Sequence, residues 1–145
     1  MQISNNGIRV INIERGVYRN IADGKQIVSF EGLVYGNKSP TDIDGVFEYD
    51  NKAWIVYEVK RKGVQIRYGQ KLALERMIND LSATGKYCIA VIAEHEVYDK
   101  SKPIPLLNCR VREYKLNNKP WRQPEFEHTV KEVTDGIIRK ITKEN

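Results

Sequence analysis

The period of apolar and polar positions along this 145-residue chain changes several times, and each change marks an element. Residues 8–13, Ile-Arg-Val-Ile-Asn-Ile, fit a strand or a short helix, since so brief a run matches both periods. Residues 26–35 read as a strand interrupted at Gly32, and residues 36–40 as a loop dense in turn formers. Residues 42–49 and 53–60 predict a hairpin closed around Asp50, Asn51 and Lys52. A helix is expected over 70–82, because Leu74, Met77, Ile78 and Leu81 recur at i, i+3, i+4 and i+7, the spacing of a buried stripe. Gly85 is a plausible stop for it. Residues 87–93, Tyr-Cys-Ile-Ala-Val-Ile-Ala, are apolar without alternation, as in a strand covered on both faces. Glu94, His95 and Glu96 then open a loop, 110–116 reads as an edge strand, and 129–141 as a terminal helix. That helix carries Val130, Val133, Ile137, Ile138 and Ile141 on one stripe despite Gly136. Hairpin, helix, buried strand and further strand together point to an α/β fold with a mixed sheet.

Composition adds little to that picture. Hydrophobic content of 41% and charged content of 30% are ordinary for a globular chain. The net charge of +5, from 24 Lys+Arg against 19 Asp+Glu, favours a polyanionic partner without demanding one. No apolar run approaches the roughly 20 residues of a membrane span. The first residues lack the basic and apolar regions of a signal peptide, and Cys88 and Cys109 stand alone, without metal-ligand spacing. A reduced, cytoplasmic protein without membrane contact is therefore expected.

The informative chemistry lies where the apolar run Trp54, Ile55, Val56, Tyr57 ends in Glu58, Val59 and Lys60. Residues two apart in a strand share a face, so Glu58 and Lys60 point the same way, and Asp44 on the preceding strand can lie opposite them. An exposed ion pair stabilises little, which makes stability a poor reason for two charges at the end of a greasy strand. Two carboxylates and an ammonium can hold a hard divalent cation and activate water. Lys60 would then orient the water or stabilise charge developing on a phosphate. The Val59 carbonyl is a further oxygen donor, since Mg²⁺ seeks near-octahedral oxygen coordination. Arg61, Lys62, Arg67, Tyr68 and Lys71 follow directly and form either a phosphate-gripping surface or a solvated basic loop. Trp121 and Arg122 fit base stacking less well than a tryptophan that caps the core. His95 and His128 are isolated, and neither a histidine-activated nucleophile nor a glycine-rich phosphate loop is present, which argues against ATP-driven chemistry.

The run Pro40-Thr41-Asp42-Ile43-Asp44-Gly45, taken with Glu58-Val59-Lys60, resembles the two central motifs of the PD-(D/E)xK nuclease superfamily. That group includes restriction endonucleases, archaeal Holliday-junction resolvases and many phage nucleases. The run is also similar to one carried by a group of phage and bacterial proteins. The likeness covers roughly residues 30–94 and gains weight from the order of its parts: carboxylate strand, turn, Glu-x-Lys strand, helix opening with Gln70, buried strand. This chain departs from the pattern in that Thr41 separates the proline from the first aspartate.

The resemblance implies one nuclease-like domain over 1–145, with its core at about 26–94 and a restriction-endonuclease-like mixed central sheet flanked by helices. It implies a Mg²⁺- or Mn²⁺-dependent endonuclease that hydrolyses DNA phosphodiesters, with Asp44, Glu58 and the Val59 carbonyl as metal ligands. Asp44 is favoured by its separation from Glu58; Asp42 is then a second ligand, an orienting residue or a solvated strand start. Gln70 either joins Lys60 at the site or bonds its own helix's free amides. A further glutamate from the N-terminal region, Glu14 or Glu31, completes some such sites. Zinc is not expected at an all-oxygen site. A homodimer would suit cleavage of two strands. Two rival readings stand beside the nuclease: a non-catalytic nucleic-acid-binding protein that keeps the fold, and a phage or regulatory protein acting through protein contacts.

Overall fold

The structure, a computed structural model, describes residues 28–143. The chain divides into two units, Met1–Pro40 and Thr41–Asn145. In the first unit the strand expected over 26–35 does not form across 28–35. Two tight turns stand there instead. The Leu33 N–H donates to the Phe30 carbonyl at 3.0 Å, with Gly32 at φ 85° as the turn requires. Tyr35 and Lys38 then exchange backbone hydrogen bonds of 2.8 and 3.2 Å around Gly36. Val28, Phe30, Leu33, Val34 and Tyr35 are all exposed, and among the described residues the β-branched and aromatic residues that suggested a strand do not join one. The element expected over 8–13, and Glu14, lie outside the described residues.

The second unit is an α/β layer structure. Strands β1 (Gly45–Tyr49), β2 (Ala53–Arg61), β3 (Tyr87–His95) and β4 (Arg110–Leu116) form one sheet in that order. The β1–β2 and β3–β4 pairs are antiparallel and β2–β3 is parallel, which makes the sheet mixed. Helix α1 (Tyr68–Ser82) connects the two parallel strands, as a crossover must, and α2 (Val130–Lys143) closes the described chain.

Alternation along β2 sorts the core into two halves. Ile55 and Tyr57 face the side where Val130 and Ile137 of α2 pack, together with Ile89, Val91 and Val111. Val56 faces the other side, against Leu74 and Ile78 of α1, Cys88 and Ala90. Strands covered on both faces need no polar alternation, which is why β2 and β3 read as near-continuous apolar runs. β1 differs: Val46 and Phe47 at the sheet edge are exposed. The β1–β2 hairpin turns where sequence predicts, with Asp50 and Asn51 at φ 45° and 59°, values that short polar side chains tolerate. Between Ile92 and Ala93 the β3–β4 register shifts, which leaves Arg112 as the extra residue of a bulge. Among the described residues no helix is long and apolar enough to cross a membrane.

Gly136 sits in the middle of α2, and a Cβ there would meet only an Arg139 guanidinium nitrogen at 4.0 Å. Gly136→Ala should therefore raise stability by about 0.5–1 kcal/mol in urea unfolding, the ordinary gain of alanine over glycine in a helix. A loss of stability would show that α2 packs more tightly at this point than described.

Candidate functional site

β1 starts at Gly45, opposite Tyr57, so the end of β2 runs on past its antiparallel neighbour. A strand residue turns its N–H and C=O to the same side, and Val59 turns both toward the space that β1 leaves open. Asp44 fills part of that gap: the Val59 N–H donates to Asp44 Oδ2 at 2.7 Å. Asp44 thus lies in a bend just before the strand rather than within it. Asp42 is exposed and also precedes the strand, so neither aspartate lies within the strand expected over 42–49, which begins at Gly45. β2 is moreover an interior strand, not an edge strand, with its C-terminal end alone uncovered on the β1 side.

Glu58 and Lys60 do share a face, the one under α1. Lys60 Nζ stands 3.4 Å from Glu58 Oε1, and Glu58 is only 3% exposed. Gln70 belongs to the same cluster. It is the third residue of α1 and lies one turn ahead of Leu74 and two ahead of Ile78, on the stripe that packs against this face. It is buried, and its amide favours the charged form of Glu58 rather than capping its own helix. Even so, Glu58 Oε2 is buried with no hydrogen-bond partner among the described residues. Loss of solvent on burial, and next the nearby Asp44 carboxylate, push the Glu58 pKa up from 4.5 to about 7. The Lys60 charge, its hydrogen bond and the Gln70 amide oppose that rise and do not cancel it. Asp44, Glu58, Lys60, Gln70 and the open side of Val59 therefore come together at one place.

The expected basic surface does not come together in the same way. Strand alternation sends Arg61 to the face opposite Glu58 and Lys60, where it borders a recess with His95 and Tyr98. Lys62 pairs with Glu96 at 3.2 Å. Lys71 pairs with Glu113 and lies 5.0 Å from the centre of the Trp121 ring, which itself packs against the α1 side of the core. Trp121 is thus a cap on the core and not a stacking platform. Arg67 and Tyr68 are exposed at the start of α1. That helix has neither a capping side chain nor an acidic residue in its first turn. Glu31 is exposed in the other unit.

One pair escaped the sequence reading. β3 continues through Glu94 and His95 instead of ending at Ala93, and Glu94 is 7% exposed and paired with Arg110. The signal was available: Glu94 closes an apolar run as Glu58 does. Among the described residues no three His, Cys, Asp or Glu side chains gather as a metal-holding group, so Asp42 does not complete a set with Asp44 and Glu58.

Glu58 ionises near pH 4.5 when unfolded and near 7 when folded. The folded protein therefore holds a proton that the unfolded chain has released. The resulting handicap is absent below about pH 4.5, grows through the interval up to 7, and is constant above it. Glu58→Gln cannot ionise and escapes this handicap. Its stability relative to wild type, measured by urea unfolding in EDTA, should rise by an amount on the order of 3 kcal/mol between acidic and mildly alkaline pH. A difference that does not change with pH would contradict the raised pKa.

Comparison of the chain with family models, with curated proteins and with solved structures finds no match in any of the three.

Proposed function

We propose that the chain is a metal-dependent nuclease of the PD-(D/E)xK type that hydrolyses phosphodiester bonds in DNA. The observation that carries this reading is Glu58: a buried carboxylate with one oxygen lacking a hydrogen-bond partner among the described residues, beside a second carboxylate, at the open end of a strand. A buried anion that one ammonium and one amide compensate only in part is costly, and a divalent cation would relieve that cost directly. Asp44 and Glu58 would hold Mg²⁺ or Mn²⁺, with the Val59 carbonyl as a neutral oxygen donor on the same side. Such an ion, when bound, supplies Lewis acidity that acidifies water and neutralises phosphate oxygens.

The remaining residues have separate tasks. Lys60, 23% exposed at its side chain, presents a positive charge to the phosphate whose negative charge grows as the bond breaks. Gln70 holds the Glu58 carboxylate toward the site. The uncapped first turn of α1 offers amides and a positive dipole end to an anion. The position agrees with a general rule for parallel strands, whose ligands gather at their carboxyl ends. Cleavage of two strands by one such small site calls for two copies, so a homodimer belongs to the proposal. So does a reduced cytoplasmic setting, which suits two buried free cysteines.

The test is cleavage of supercoiled plasmid and of labelled oligonucleotides in Mg²⁺, in Mn²⁺ and in EDTA, at a pH above 7 where Glu58 is ionised. Wild type should cut with either metal and not in EDTA. Glu58→Gln keeps the side-chain shape, removes the charge and should lose roughly 100-fold or more in rate, while it still binds DNA, because phosphate contacts do not pass through Glu58. DNA binding that is equal with and without metal, and no cleavage by wild type, would favour a non-catalytic binding protein instead.

A further inference from the structure

The row of charge continues across the sheet beyond Lys60. In the parallel register Lys60 is the partner of Glu94, and in the antiparallel register Glu94 is the partner of Arg110. Partners on neighbouring strands share a face, so the three side chains stand side by side along the strand ends. Each step is one strand spacing of about 4.8 Å. Glu94 is 7% exposed, whereas the Arg110 side chain that pairs with it is 46% exposed. The anion of this pair is hidden and the cation is presented.

Other cations nearby are differently committed. Arg112 Nη1 donates to the Val64 carbonyl at 2.7 Å and so fixes the loop that leaves β2. Lys115 is buried and donates to the carbonyls of Asn117 and Lys119, both at 2.7 Å. Lys62 and Lys71 are paired with Glu96 and Glu113. Arg110 alone among these has a buried carboxylate behind it and solvent in front of it. A guanidinium has five N–H donors, and Glu94 engages only part of the fork. As a stability device the pair is poor, since a partly exposed ion pair contributes little and burial of the carboxylate costs. As a way to hold a guanidinium still for a planar, bidentate anion it is well suited. Arg110 and Glu94 also border a recess of about 360 Å³ whose lining includes the carboxylates Glu96 and Glu127 as well as Lys62, His95 and Asn108, so an anion meets the guanidinium from its solvent side and not from within the recess.

We infer that Arg110, positioned by Glu94, contacts a backbone phosphate of the DNA, and that the strand therefore crosses the sheet along the carboxyl ends of β2 and β3 toward the start of β4. Lys60 and Arg110 lie two strand spacings apart, about 10 Å, close to the axial rise of about three nucleotides. This inference rests on the nuclease reading above and extends it to a residue that the motif does not contain.

The test measures binding of fluorescein-labelled DNA, single-stranded and duplex in parallel, across a salt series in EDTA. Glu94→Gln serves as reference: its amide oxygen still accepts from the Arg110 guanidinium and keeps it in place, and neither it nor Glu94→Gln/Arg110→Gln leaves a buried ion without its partner. The double variant should bind roughly 3- to 10-fold more weakly than the reference, with a salt slope shallower by about 0.9 for duplex or 0.7 for a single strand. Equal affinity and slope for the two variants would overturn the inference and leave the nuclease reading standing. If wild type binds DNA in neither form, the nuclease reading fails and the inference fails with it. Wild type gives a second readout that does not depend on variant folding: bound DNA should protect Arg110 from phenylglyoxal, as mapped by mass spectrometry. Unchanged modification of Arg110 in the complex would overturn the assignment.

Discussion

A carboxylate that is buried before it is fully paired governs the whole α1 face of this sheet. Glu58 is nearly inaccessible, one of its oxygens has no hydrogen-bond partner among the described residues, and Asp44 adds a second negative charge nearby. Removing such a group from water costs far more than one lysine contact returns. The arrangement around it follows from three local facts. β1 is short, which leaves the Val59 backbone open and lets Asp44 reach it. Strand alternation puts Lys60 on the Glu58 side. The stripe of α1 that packs Leu74 and Ile78 also carries Gln70 to the same spot. Each of these serves ordinary folding, and together they build a site in which a charged Glu58 is unfavourable, a cost that the proposed cation would relieve.

Stability and the proposed chemistry are thereby set against each other within a few residues. The two-sided core, with Ile55 and Tyr57 toward α2 and Val56 toward α1, holds the end of β2 rigidly enough to keep Glu58 where it is unfavourable. Local cost of this kind persists only where the surroundings over-determine the geometry, and it concentrates where function needs it. The same logic recurs one strand further at Glu94, where Arg110 supplies the compensation from outside. Across the strand ends Lys60, Glu94 and Arg110 alternate in sign, with the carboxylate of Glu94 hidden.

Much of the fold was legible because burial on both faces leaves an unmistakable pattern. The runs that became β2 and β3, and the stripes of α1 and α2, could pack in few other ways, and the mixed α/β sheet followed. Glu58 with Lys60 was legible for the opposite reason: charge at the end of an apolar run has no use in packing. What failed depended on neighbours that a linear pattern does not show. Residues 28–35 have strand-like composition, yet a strand needs a partner for its backbone, and turns at Gly32 and Gly36 form instead. Asp42 and Asp44 read as strand residues because alternation cannot say where pairing stops. The basic cluster read as one surface because chain proximity hides both the change of face at Arg61 and the distant carboxylates Glu96 and Glu113 that claim Lys62 and Lys71. Glu94 is hard to place from sequence because the apolar run before it ends at Ala93, while β3 continues to His95.

The central claim is that Glu58 is held in a frustrated state that a divalent cation relieves, and its own titration tests this most directly. The side-chain carboxyl carbon of Glu58, followed by NMR in protein labelled at that position, should report a midpoint near 7 in EDTA. Addition of Mg²⁺ should move that midpoint toward or below the ordinary glutamate range, because the cation favours the charged form. A midpoint near 4.5 that Mg²⁺ leaves unchanged would contradict the account.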